Sequence, residues 1–352
     1  MIIAKLHAYK FGDKALLLLS SYLRHRQQRV KIGNKRSSWL EIKKGVPQGS
    51  ILGPTIFNYF LNDIMFFETD FTFANYADDN TIYASAANKA QLIKKLSDAT
   101  CIAIRWFIFN NMQANANKFQ FIIFGKKQGT EHLKLDVHDS LIVESDHVKL
   151  LGITLDKKLD YKVHVKSLCR KTAWQIAALG RISKFLSVEA KLTIFRTFIV
   201  SNLEYCKVVW NFCSKTDANK LEKLQERALR IVLSDYSSSY DTLLEKSRTK
   251  TLLEGRLQAT VIEIFKSQRG LTPTYISQMF NKTDTGYLSH RKYQLSLFRR
   301  RTTAYGLKSF SHYGATLWNH LPNNIKELES VDQFKKGIKA INLTGLKPLY
   351  AF

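Results

Sequence analysis

"FANYADDNTIYAS", residues 73–85, is the stretch on which the reading of this chain turns. Two β-prone runs, "FTFANY" and "TIYASA", flank Ala77, Asp78, Asp79 and Asn80, and Asp and Asn tolerate turn geometry. A hairpin with both aspartates at its end is expected. Such a pair has two readings. Adjacent carboxylates make good solvated turn residues, and a bare Asp-Asp dipeptide is most often no more than that. Two-metal phosphoryl or nucleotidyl transfer, however, needs carboxylates that hold ions about 4 Å apart, and Mg²⁺ takes hard oxygen ligands of this kind.

The segments on either side weigh between these readings. Upstream, "GVPQGS", residues 45–50, must be a turn or loop, because Pro47 fixes φ and the glycines let backbone approach a ligand closely. "PTIFNYFLNDIMFF" then reads as a strongly apolar, buried helix, with Pro54 in its first turn. Earlier still, "DKALLLLSSYLRHR" reads as a helix with Asp13 as its cap, and "QQRVKIGNKRSSWLEIKKG" as two short strands about a Gly-Asn turn. Downstream, "NKAQLIKKLSDATCIAIRWFIFNN" is an amphipathic helix. A strand centred on 119–124 and a strand region "VKLLGITLD", residues 148–156, follow, with Gly152 a bulge or close-packing point. After Asp160 the pattern turns helical through "YKVHVKSLCRKTAWQIAALGRIS", "VEAKLTIFRTFIVSNLEYCKVVW" and "DANKLEKLQERALRIVL". From about 240 helical "TLLEGRLQATVIEIFKSQRG" gives way to a loop-rich basic tail containing Arg299, Arg300 and Arg301.

The charge balance points to a polyanionic partner. The 352 residues carry 54 Lys and Arg against 29 Asp and Glu, a net +25, and each phosphate neutralised by such a surface releases counterions. The distribution is uneven: residues 1–50 are net +9, residues 51–100 net −3 and residues 151–200 net +7. An acidic segment between basic ones suits a cation site beside a phosphate-binding surface. The four cysteines are scattered with no CxxC, which argues against zinc and for free thiols in a reducing compartment. No signal peptide or membrane span is expected, so the localisation anticipated is intracellular, in nucleus or cytoplasm.

Taken in order, "GVPQGSILGPTIFNYFLNDI" (45–64), "NYADDNTIY" (75–83), "NANKFQFIIFGKK" (115–127) and "VKLLGITLD" (148–156) resemble the reverse transcriptases of non-LTR, jockey-like retrotransposons. "GATLWNHLPNNIK" (314–326) resembles the same elements. The resemblance implies an RNA-directed DNA polymerase that adds dNTPs to a DNA primer 3′-OH on an RNA template, with two Mg²⁺ or Mn²⁺ ions. By position it makes Asp78 and Asp79 catalytic, metal-binding carboxylates, and Lys118 the lysine beside the leaving pyrophosphate. Pro47, Gln48, Gly49 and Tyr76 fall at the nucleotide and template. Tyr76 and Phe73 have palm packing as the plainer role. Leu151 and Gly152 match the primer grip, with core packing as the alternative. Lys162, Lys166, Arg170 and Lys171 lie where a thumb follows the nucleic-acid backbone, a solvated face being the alternative for each.

The resemblance also implies a further metal-binding aspartate, in a segment like F-x-x-A-F-D ahead of "AKLHAYKFG". The sequence starts at Met1, so the chain is expected to be N-terminally truncated, without that strand, most of the fingers or an endonuclease domain. The fold expected is α+β: an incomplete palm over 1–156 with an antiparallel sheet and packed helices, a helical thumb over 157–238, and a helical and irregular basic region over 239–352. The function expected is that of a polymerase fragment inactive by itself. The alternatives are a catalytically dead relic that binds RNA or RNA–DNA duplex and, more remotely, a group II intron maturase.

Overall fold

The computed structural model describes residues 1–66, 71–125, 132–137, 140–282, 293–297 and 299–345. The chain separates into two compact units, one formed by residues 1–121 and 128–145, the other by residues 122–127 and 146–352.

In the first unit, α1 (Ile2–Ala8) and α2 (Asp13–Leu23) lead into two small antiparallel pairs. β1 (Gln27–Gln28) pairs with β4 (Leu40–Glu41), and inside it β2 (Lys31–Ile32) pairs with β3 (Lys35–Arg36) across the expected Gly-Asn turn. Asp13 is not the cap expected. Gly12 holds the N-cap position, no side chain caps it, and Asp13 opens the first turn, where its charge suits the helix dipole. α3 (Leu52–Leu61) continues as a 3₁₀ turn over Asn62–Phe66. It buries one face only, through Ile56 and Leu61, and leaves Leu52 and Tyr59 exposed. The expectation of a buried helix came from its composition, and composition does not report which neighbours cover the second face.

β5 (Thr72–Tyr76) and β6 (Asp79–Tyr83) form the expected hairpin. α4 (Lys89–Phe109) packs on it, and Asn88 caps this helix by accepting the Gln91 N–H at 2.9 Å. The core here is Leu61, Ile64, Phe73, Ala103, Trp106 and Phe107. β7 (Lys134–Val137) and β8 (Ser140–Val143) complete the unit, and Ser97 on α4 donates to the Asp136 carbonyl. Among the described residues every strand pairs with one partner only, so the antiparallel sheet expected of the palm is instead a set of separate two-stranded ribbons.

In the second unit, β9 (His147–Leu150) and β10 (Ile153–Asp156) form a further hairpin. α5 (Lys162–Ile182) follows, then α6 (Val188–Ile194), a π-helical stretch over Phe195–Val200 and α7 (Ser201–Glu204). The helix expected through Trp210 therefore ends at Glu204, with Tyr205 in extended backbone. α8 (Lys215–Leu233), α9 (Tyr240–Ser247) and the start of α10 (Leu252–Gln268) close a core in which Val165, Ile176, Phe195, Trp210, Leu221, Leu229 and Leu243 are fully buried. Past Leu252, α10 enters a second core with α12 (Phe310–Asn319) and α14 (Val331–Lys339), built on Val261, Phe265, Trp318 and Phe334. α11 (Thr274–Ser277) and α13 (Asn323–Lys326) flank these helices. The tail read as loop-rich thus carries a packed core of its own. Ala315, Leu317, Trp318 and Leu321 of "GATLWNHLPNNIK" are buried in it.

Candidate nucleic-acid and catalytic site

In the β5–β6 hairpin Tyr76 pairs with Asp79, so the turn consists of Ala77 and Asp78 alone. This is two residues shorter than expected. Ala77 takes φ +52°, a left-handed conformation unusual outside glycine, Asn and Asp. Asp79 and Asn80 belong to β6, and the Asn80 amide donates back to the Asp78 carbonyl at 3.2 Å. Paired residues of an antiparallel ribbon share a face. Phe73 and Ile82 therefore point into the helical core, while Tyr76 and Asp79 lie together on the opposite, open face. Asp78 and Asp79 are both exposed, as is Tyr76 at 67%. Phe73 packs as expected; Tyr76 does not, and stands in solvent beside Asp79.

The Gly-Val-Pro-Gln-Gly-Ser loop is a built turn. The Ser50 N–H approaches the Pro47 carbonyl at 3.4 Å, closing a β-turn with Gln48 and Gly49 at its corners. Gly49 stands at φ +79°, the value a type II turn requires at that corner. Ser50 Oγ donates to the same carbonyl at 2.7 Å and accepts the Gly53 N–H at 3.1 Å, which ties the turn to the start of α3. Gln48 is left exposed, its amide without a partner among the described residues.

Lys118 is not on a strand. It ends a 3₁₀ turn over Ala116–Lys118, and residues 119–124 form no ladder. Among the described residues their backbone bond to another segment runs from the Ser145 N–H to the Phe121 carbonyl. β-propensity expresses itself only against a neighbouring strand edge, and none is offered to this run among the described residues. Among the described residues no side-chain hydrogen bond or ion pair joins the Gln48 turn, the hairpin end and Lys118.

In the second unit, Leu151 and Gly152 are neither bulge nor strand but the two-residue turn of β9–β10, with φ +45° and +85°. Both central residues left-handed is the type I′ pattern that suits a hairpin's twist. Tyr205 holds the turn. Its hydroxyl donates to the Leu151 carbonyl at 2.7 Å, and its ring lies 3.3 Å from where a Cβ on Gly152 would be. The close-packing role expected of Gly152 is thus present, at a turn. Asp156 secures the exit from the hairpin by accepting the backbone N–H groups of Lys158, Asp160 and Tyr161. Burial, aided by the charge of Asp156, pushes the Tyr161 hydroxyl up to about 12.

Lys162, Lys166 and Arg170 are exposed at four-residue intervals along α5, and the same row reaches Trp174, which is 65% exposed. Lys171 differs: its ammonium is engaged by the Asn202 side-chain oxygen at 2.6 Å. Trp174, Tyr205, Ser50 and Asp156 were not singled out from sequence. The i, i+4 continuation of Lys162, Lys166 and Arg170 would have pointed to Trp174, whereas nothing local in the sequence ties Tyr205 to a turn 54 residues away.

Among the described residues no three His, Cys, Asp or Glu side chains gather into a metal-binding group. Asp78 and Asp79 therefore stand as a pair. Their exposed oxygens fit one side of a Mg²⁺ site, since Mg²⁺ keeps waters and needs one or two carboxylates, but they do not by themselves complete a two-metal clamp. No described helix is long and apolar enough to cross a membrane.

Comparison with known proteins agrees with the motifs. Residues 1–155 match the reverse transcriptase (RNA-dependent DNA polymerase) family. The chain is 28% identical over 234 residues to the RNA-directed DNA polymerase from mobile element jockey of Drosophila melanogaster, covering 62% of this chain and 25% of that protein. It is 27% identical over 231 residues to the jockey polymerase of Drosophila funebris, covering 60% and 24% respectively. The chain thus spans about a quarter of the length of the curated relatives it matches. No solved structure matches. Residues 1–155 thus match the reverse transcriptase family, and the chain is similar to RNA-directed DNA polymerases of mobile elements.

Proposed function

We propose that the first unit supplies the palm side of an RNA-directed DNA polymerase site, with the end of the β5–β6 hairpin as its metal-facing edge. The observation that carries this reading is the register of the hairpin. Burial of Phe73 puts Asp79 and Tyr76 on the open face, with Asp78 at the tip. Asp78 and Asp79 would hold Mg²⁺, which supplies positive charge to the phosphates being exchanged. The exposed Gln48 amide offers hydrogen bonds to an incoming dNTP or the template, and Lys118 supplies a cation for pyrophosphate. In the second unit, the Leu151–Gly152 turn acts as a primer grip, and Lys162, Lys166 and Arg170 follow the backbone of an RNA–DNA duplex as a thumb would. Phosphate contacts of this kind position a duplex without reading its sequence.

The same reading makes the 352-residue chain, by itself, inactive in synthesis. Two carboxylates bound one side of a two-metal clamp, and stabilising charge at the reacting phosphate is the main catalytic contribution in this chemistry. Two measurements test it. Mn²⁺ titration followed by electron paramagnetic resonance should show a bound population that disappears in Asp78→Asn/Asp79→Asn; binding unchanged in that variant refutes the metal assignment. Primer extension on an RNA template with Mg²⁺ should yield no templated product, and robust synthesis refutes the inactivity.

A further inference from the structure

Away from the residues discussed so far, the second unit contains a cavity of about 420 Å³ between α7, α8, the α9–α10 connection and the end of α14. Three cations line it: Arg248, Lys250 and Lys339. Two carboxylates also line it, each with a partner of its own. Glu204 is ion-paired to Lys207 at 2.6 Å, and Glu254 accepts the Gln258 amide at 2.8 Å. Arg248 and Lys339 have no ion pair among the described residues, and the Lys250 ammonium has only the neutral Gln258 side-chain oxygen. Burial, then the like charge of Lys207, holds the Lys250 ammonium below its ordinary value, against the opposing charges of Glu204 and Glu254.

Backbone geometry keeps the cations in place. Arg248 is the left-handed C-cap of α9, at φ +51°, and the segment from Arg248 to Thr251 turns directly into α10. Gly255 lets the Glu204–Lys207 pair lie against α10, since a Cβ there would stand 2.9 Å from the Glu204 carboxylate. A second hollow of about 490 Å³ along the same segment shares Arg248, Lys250 and Glu254 with the first and is lined by Asp241 and Glu245 as well. The excess of positive charge, three cations against two carboxylates of which Glu204 is ion-paired to Lys207, therefore belongs to the first cavity.

We propose that this cavity is a phosphate-binding site, in which Arg248 and Lys250 make charge-assisted hydrogen bonds to phosphate oxygens and Lys339 closes the open side. Phosphate is the anion this set fits: a guanidinium and an ammonium from one connection, with a further ammonium from α14, suit an oxyanion with several acceptors. The phosphate comes either from a nucleic-acid backbone or from a free phosphate compound. The inference does not rest on the polymerase reading, which concerns other residues, so the two can fail separately.

The test uses the full chain and the variants Arg248→Asn, which suits the left-handed position, Lys250→Gln and Lys339→Gln. Lys335→Gln serves as control, because Lys335 lies on the same α14, is paired with Asp332 and does not line the cavity. Pyrophosphate binding is followed by isothermal titration calorimetry, with folding of each variant checked by its thermal transition. Saturable binding is expected, weakened about tenfold by Arg248→Asn or Lys250→Gln and unchanged by Lys335→Gln. A short RNA that competes with pyrophosphate assigns the site to nucleic-acid backbone; an RNA that does not compete assigns it to free phosphate compounds. No saturable binding, or equal weakening by Lys335→Gln, overturns the proposal.

Discussion

Removing the Tyr205 hydroxyl should loosen the β9–β10 hairpin by roughly 0.5–1 kcal/mol. The bond to the Leu151 carbonyl is short, at 2.7 Å, but Tyr205 is 51% exposed, so the lower half of the usual range for a neutral hydrogen bond applies. The turn needs this support. Leu151 sits at φ +45°, and a left-handed conformation costs a residue with a Cβ roughly 1–2 kcal/mol. Adding a Cβ at Gly152 imposes a similar cost there. It also crowds the Tyr205 ring, which would lie 3.3 Å away. Gly152→Ala should therefore be more costly in the native background than in Tyr205→Ala, with a coupling of roughly 0.5–1 kcal/mol between the two changes. Hydrogen exchange of the peptide spanning residues 147–156 measures the local effect, and urea unfolding the global one. An exchange rate in Tyr205→Phe equal to that of the native chain would refute the clamp. So would a Gly152→Ala cost that is the same in both backgrounds.

Asp156→Ala deprives three backbone N–H groups of their acceptor and should destabilise the second unit by roughly 2–4 kcal/mol in urea unfolding, with Asp156→Asn recovering part of the loss. Lys326 is 3% exposed, and burial holds its ammonium at about 8 against an ordinary 10.5. Its folded value lies below its unfolded one, so stability should rise as pH goes from about 8 to 10.5, and Lys326→Met should raise stability at pH 7 by roughly 1–3 kcal/mol and flatten that rise; thermal melts across this pH range measure both effects. Ala77→Val places a β-branched side chain at φ +52° and should weaken the β5–β6 hairpin by roughly 1–2 kcal/mol more than Ala77→Gly, read by hydrogen exchange of residues 72–83.

What the sequence made legible was local. The alternation of "FTFANY" and "TIYASA" carried the hairpin, and the periodicity of residues 89–109 carried α4. Gly49 and Gly152 were noticed because glycine lets the chain turn back or come close, and both do so at positive φ. Features set by distant partners were not legible. The run 119–124 has the composition of a strand, but strand formation depends on an edge that propensity does not contain. α3 looked buried because it is strongly apolar, although only Ile56 and Leu61 reach the core among its larger side chains. The separate core of the C-terminal region was obscured by short helices, which give little periodic signal. Its aromatic anchors, Phe265, Trp318 and Phe334, are spread over some seventy positions and meet only in the fold.

The position of the two aspartates follows from an apolar residue rather than from their own chemistry. In a strand, side chains alternate between faces, so a one-residue slip of β5 against β6 exchanges core and solvent sides. Phe73 is 8% exposed and packs with Leu61, Ile64 and Trp106, and its pairing with Ile82 fixes the register. From that pairing the count to the turn leaves two residues, Ala77 and Asp78, and sets Asp79 on the open face. A register that turned Asp79 inward would bury a carboxylate among aromatic rings, a cost of several kcal/mol without a partner. Hydrophobic burial at Phe73 and the charge of Asp79 thus favour the same register. The left-handed strain at Ala77 is what the turn incurs to meet it, and the outcome is two solvated carboxylates held at the end of a ribbon whose other face is anchored in the core.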